Sequence, residues 1–131
     1  MTTFALMVLG APHSTAAEQS AWHFAQAAVA AGHHLFRVFF FHDGVQCGNA
    51  LQLPSPQESG VPARWQQLAR DHRVDLVVCI ASAMKRGVAN SEEAERHQLG
   101  AGNLAEGFDL SGLGQWVEAC ILADRAITFG P

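Results

Sequence analysis

Thr3 to Leu9 is an unbroken apolar, β-prone run that stops at Gly10-Ala11-Pro12, where a helix would not continue, and it predicts a central strand. Thr15 and Glu18 follow in the T-x-x-E spacing of a capping box, and Ala17, Ala21, Phe24, Ala25 and Ala28 then recur at helical spacing up to Gly32. His34 to Phe41 predicts a second strand whose near absence of polar alternation is that of a strand covered on both faces. Asp43-Gly44 turns the chain. Val45 to Val61 gathers Gly48, Asn49, Pro54, Ser55, Pro56 and Gly60 and reads as a loop, long enough to carry function. Pro62 suits a first helical turn, with Trp65, Leu68, Ala69 and His72 on one stripe behind it. Asp75 to Ile80 predicts a third strand, and a polar stretch follows with a short helix begun by Asn90 or Ser91. Ser111 is placed to cap a last helix with the stripe Leu113, Trp116, Val117, Cys120 and Ile121, and Arg125 to Phe129 closes the chain as a strand.

Strands alternating with helices imply a parallel sheet covered by helices on both faces, with ligands and chemistry at the carboxyl ends of the strands. The expected fold class is a three-layer α/β/α arrangement, flavodoxin-like in outline, and 131 residues fit it as a single domain over 1–131. Apolar types at 49% against 15% charged exclude disorder. No apolar run approaches the roughly 20 residues of a membrane span, and Met1 to Gly10 lacks the basic segment of a secretory signal. A net charge of -4 with Lys85 as the only lysine argues against direct contact with nucleic acid. Cys47, Cys79 and Cys120 form no CxxC pair and suit free thiols in a reducing compartment, so the cytoplasm is expected. The seven histidines show no metal-binding spacing.

Cys79 is the most informative candidate because it sits near the C-terminal edge of a predicted buried strand. A thiol there is either a small packed hydrophobe or a nucleophile. Ser82, Lys85 and Arg86, just downstream, offer a hydroxyl and two cations of the kind that stabilise a thiolate or dock a partner, although a lysine-arginine pair is also an ordinary solvated surface. Cys120 on the last helix reads as a packed core thiol, and Cys47 as an accessible loop thiol, incidental or able to relay sulfur. His42 directly follows a strand on the functional side of the sheet and is a lesser candidate for proton transfer. Gly10 to Thr15 has neither the glycine spacing nor the lysine of a P-loop, so a nucleotide or flavin binder rests on fold analogy alone.

Several segments, in order and spacing, resemble the DsrE/DsrF-like sulfur-relay family and within it the TusD-like branch. They are F-A-L-M-V-L-G-A-P-H-S-T from Phe4, F-A-Q-A-A-V-A-A-G-H from Phe24 and V-F-F-F-H-D-G-V from Val38. C-I-A-S-A-M-K-R-G-V from Cys79, N-L-A-E-G-F-D-L-S-G-L-G from Asn103 and the ending A-D-R-A-I-T-F complete the set. The resemblance implies a mainly parallel five-stranded sheet, a persulfide carried on Cys79 as the catalytic residue, and no metal or organic cofactor. It also implies assembly with TusB-like and TusC-like subunits into a hetero-hexamer, sulfur received from a TusA-like donor, and delivery to a TusE-like acceptor for 2-thiolation of the tRNA wobble uridine. The alternatives are a DsrE-type subunit of dissimilatory sulfur oxidation and a structural subunit in which Cys79 is inert packing. Subunit contacts are expected on the Phe-rich strand and the last helix.

Overall fold

The apolar runs become five strands, β1 (Thr3–Val8), β2 (His34–Phe40), β3 (Asp75–Cys79), β4 (Phe108–Ser111) and β5 (Arg125–Phe129), in a computed structural model that describes residues 1–131. They form one sheet in the order β4-β3-β2-β1-β5, and every neighbouring pair is parallel. The sheet is thus wholly rather than mainly parallel. Helices α1 (Ala17–Ala30) and α2 (Val61–His72) cover one face and α5 (Gly114–Leu122) the other, while the short α3 (Ile80–Lys85) and α4 (Ser91–Arg96) lie beyond the carboxyl end of β3 in the chain. β4 escapes the apolar pattern because it is a four-residue edge strand between Gly107 and Gly112. Ser111 is its last residue, so it does not cap α5, whose N-cap position is Leu113.

Side chains alternate across a strand, and partners in parallel register share a face. Phe40 meets Trp65 of α2 edge to face, with ring centroids 5.5 Å apart, and the Trp65 ring meets Trp22 of α1 at 5.4 Å. Phe39 turns the other way, toward Trp116 of α5. The apparent misfit in the second run, Arg37, also points to the α5 face. Its guanidinium is held by Asp75 and Glu118, each at 2.8 Å, and by the Gln115 carbonyl oxygen. Burial pulls this guanidinium's pKa down, but the hydrogen bonds and charges of Asp75 and Glu118 outweigh it and leave the pKa raised. The net direction keeps the cation at every working pH, so the tie between β2, β3 and α5 does not titrate through Arg37.

Two local expectations fail for the same reason, that tertiary partners displace local ones. Glu18 does not close a capping box: it is buried, accepting from Arg64 Nε and Nη2 at 3.0 and 2.6 Å and from the Trp65 indole N–H at 2.8 Å. The segment after Phe41 is not loop throughout, since His42–Gly48 winds into a 3-10 helix. Gly44 lets this helix cross the end of β1, where a Cβ would collide with the Val8 carbonyl oxygen. Of the two surfaces expected to contact other subunits, the Phe-rich strand is core, with Phe39 and Phe40 fully buried.

Candidate active site around Cys79

Cys79 is the last residue of β3 and the N-cap of α3, at extended φ -65 and ψ 120, so strand and helix join without a linker. The first-turn N–H groups of α3, which have no partner inside the helix, follow it directly in the chain. The alternation that sends Phe39 to the α5 face sends Val77 and Cys79 there too, because Phe39 is in register with Val77. Cys79 pairs with Ser111 across β3 and β4. It is 3% exposed and belongs to the hydrophobic core cluster, and its thiol has no side-chain hydrogen bond. The strand order changes direction between β1 and β5, two strands away, so Cys79 is not at the switch point where such sheets usually bind ligands.

The polar residues near it in sequence separate into two groups. Ser82 is buried, and its hydroxyl accepts from the His42 backbone N–H at 3.1 Å. Arg86 turns away to the 3-10 helix: its Nε donates to Asp43 at 2.7 Å, its Nη1 to the Ser82 carbonyl oxygen at 3.2 Å, and its own carbonyl oxygen accepts from Gln46 Nε2. Lys85 points into solvent and forms no ion pair or hydrogen bond. The structure thus joins Ser82 and Arg86 in one hydrogen-bonded cluster with His42 and Asp43, leaves Lys85 outside it, and aims no cation at the sulfur. Asp43 and Gln46 were not legible as site residues, although an acid at one strand's end facing a basic pair after the next is a signal for such a clasp. The His42 imidazole is exposed and stacked on Phe41, with centroids 4.1 Å apart, and its backbone at φ 50 lies in the left-handed region, which costs a non-glycine residue roughly 1 kcal/mol.

The other two thiols exchange their expected environments. Cys47, expected accessible in a loop, is fully buried in the 3-10 helix, and desolvation, reinforced by the charge of Glu18, pushes its pKa well up. Cys120, expected in the core, is exposed on α5, where Ala119 is the only buried residue and Leu113, Val117 and Ile121 also face outward. The outcome expected with iodoacetamide at pH 8 is rapid labelling of Cys120 in the native protein and none of Cys47 until denaturant is added. Peptide-resolved mass spectrometry checks this, and native labelling of Cys47 would contradict its placement.

An all-parallel five-stranded α/β domain with a cysteine closing one strand defines a class of small thiol-bearing proteins. Within it, the chain belongs to the DsrE/DsrF-like family, whose sequence model matches residues 3–129. It is 44% identical over 127 residues, 97% of this chain and 98% of the relative, to a DsrE protein of Allochromatium vinosum. It is also 44% identical over 126 residues, 96% of each chain, to Sulfurtransferase TusD of Yersinia pestis. Its fold matches the ychN protein of E. coli with a TM-score of 0.77 and 19% identity, covering 98% of this chain and all of that one. No helix is long and apolar enough to cross a membrane.

Proposed function

We infer that this chain is a sulfurtransferase that carries sulfane sulfur as a persulfide on Cys79. The observation that carries this reading is a cysteine at the carboxyl end of β3, at the join to α3, in a chain whose full-length relatives include one named sulfurtransferase. The chemistry is an exchange without net oxidation. The Cys79 thiolate attacks the outer sulfur of a donor persulfide, a new S–S bond forms on Cys79, and the donor's S–S bond breaks with its electron pair leaving on the donor thiolate. An acceptor thiolate then repeats the attack on the Cys79 persulfide. No oxidant, reductant or metal enters the balance.

In this reading the donor is TusA-like, the acceptor TusE-like, the final product 2-thiolated tRNA wobble uridine, and the compartment cytoplasmic. TusB-like and TusC-like subunits complete a hetero-hexamer, and the outward stripe of Leu113, Val117 and Ile121 is the surface assigned to subunit contact. A DsrE-type role in dissimilatory sulfur oxidation is the second reading, favoured by an equal identity of 44% to the DsrE relative. Incubation with a persulfide-loaded donor is expected to add about 32 Da, one sulfur, to the Cys79 peptide, removable by reductant. A chain that never gains this mass on Cys79, alone or with its partner subunits, is an inert structural subunit and ends the proposal. Onward transfer to a TusE-like protein, rather than to an acceptor from sulfur-oxidising metabolism, separates the two readings.

A further inference from the structure

We propose that Gly112-Leu113-Gly114, the connection from β4 to α5, is a strap across the Cys79 thiol, and that swinging it aside admits the sulfur of a partner protein. The proposal rests on Cys79 being the sulfur carrier and concerns how that sulfur is reached. Exchange requires the thiolate to meet an incoming sulfur in line, yet Cys79 is only 3% exposed. Whatever covers it must stand on the face into which its side chain points.

That face is the one α5 covers. Phe39 with Val77, and Cys79 with Ser111, are register partners, and strand alternation turns all four side chains to the α5 side. Ser111 ends β4, on one flank of β3. On the other flank, over β2, Trp116 in the first turn of α5 meets Phe39, and the Gln115 carbonyl oxygen accepts from Arg37. The three residues between Ser111 and Gln115 therefore carry the chain across β3 on this face. They cross at the height of the sulfur: Ser111 is level with Cys79, and Phe39 with Val77 just below it. The Gln115 N–H donates to the Gly112 carbonyl oxygen at 3.1 Å, a tight turn with no length for a detour past the end of the strand.

The composition of the strap fits movement rather than packing. Gly112, Leu113 and Gly114 are all exposed. Neither glycine has a left-handed φ, and a Cβ on either would meet no atom within 4 Å, so the fold requires glycine at neither position. What two glycines supply there is torsional freedom, even at Gly114, which opens α5 with the weakest helix former after proline. Both ends are fixed, Ser111 by its pairing with β3 and α5 by buried Ala119 and the Arg37 contacts.

The test is the rate of Cys79 alkylation by iodoacetamide in the native protein, resolved by peptide, with Cys47 reporting global opening and Cys120 reporting the body of α5. Gly112→Ala combined with Gly114→Ala is expected to slow Cys79 labelling about tenfold, because each Gly→Ala change cuts the freedom of the open strap by a factor of roughly two to five. Leu113→Gly, which adds a third flexible residue, is expected to speed it about threefold. In both variants Cys47 stays unlabelled and Cys120 keeps its native rate. A Cys79 rate that either variant leaves unchanged or moves the opposite way, or that changes only in step with Cys47 or Cys120, would overturn the strap. Alkylation needs no sulfur donor, so the two proposals fail separately: strap-dependent labelling with no persulfide on Cys79 sinks the sulfur-carrier reading, and persulfide formation with labelling indifferent to the glycines sinks the strap.

Discussion

Glu18→Ala is expected to destabilise the fold by about 3 kcal/mol, the largest loss of stability for a single polar side chain here. The carboxylate is 4% exposed and takes three hydrogen bonds, a bidentate pair from Arg64 and one from the Trp65 indole. Removing it strands the N–H of a fully buried tryptophan and leaves half of the guanidinium fork without its acceptor. The magnitude is set below the upper end for a buried pair because Arg64 is 28% exposed and can turn to water, and because its stack over the Trp22 ring, 5.1 Å to the centroid, survives the substitution. Glu18→Gln keeps an acceptor for the indole and is expected to cost about half as much. Urea unfolding of the three proteins checks this, with a midpoint shift at constant m-value as the sign that stability alone has changed. A loss below about 1 kcal/mol for Glu18→Ala would mean that water replaces the carboxylate and that the triad is not a structural tie.

That triad also marks where the chain was legible and where it was not. β1, β2, β3 and β5, and helices α1, α2 and α5, were readable because each is an apolar run or stripe wide enough to reveal its period. Glu18 sits three residues after Thr15 and so imitates a capping box, yet its partners lie 46 and 47 residues away, a separation that local spacing does not encode. Cys47 and Cys120 fail as a pair for a related reason. Glycine and proline around Cys47 suggest an open loop, but Gly44 and Gly48 instead let the backbone settle closely on its neighbours and carry Cys47 into the core. The stripe of α5 suggests burial throughout, but the isolated chain buries only Ala119 there and packs Trp116 partly against Phe39, while Val117, Cys120 and Ile121 face outward.

The candidate site was legible to its first residue and less so beyond it. Cys79 stands near the end of the strand expected over Asp75 to Ile80, and the structure ends β3 one residue earlier, at Cys79 itself. Ser82 and Arg86 do stand close in space, but the partners they select are His42 and Asp43, from a segment whose sequence suggests only a turn. A basic pair after a cysteine suggests a thiolate held by cations, whereas the geometry uses Arg86 to fasten the helix that follows the cysteine and leaves Lys85 in solvent.

Cys79→Ser is expected to lower sulfur transfer from a loaded donor to an acceptor protein by roughly a thousandfold or more, to the rate without this chain. Serine has nearly the same shape, so the strand end and α3 remain, and a hydroxyl in place of a nearly buried thiol costs about 1 kcal/mol, which a folded domain tolerates. What is lost is the chemistry, because an alcohol is barely ionised where a thiol is, and exchange at sulfur needs a sulfur anion on both sides of the step. The controls are the other two thiols. Cys120→Ser removes the most accessible sulfur and Cys47→Ala the least, and both variants are expected to transfer within about twofold of the native rate, since neither sulfur stands at a strand end. Single-turnover transfer, followed by the mass of the acceptor, makes the comparison without confusing binding with chemistry. If Cys79→Ser kept its rate and Cys120→Ser lost it, the exposed face of α5 would carry the sulfur, and the end of β3 would be no more than a well-packed corner of the core.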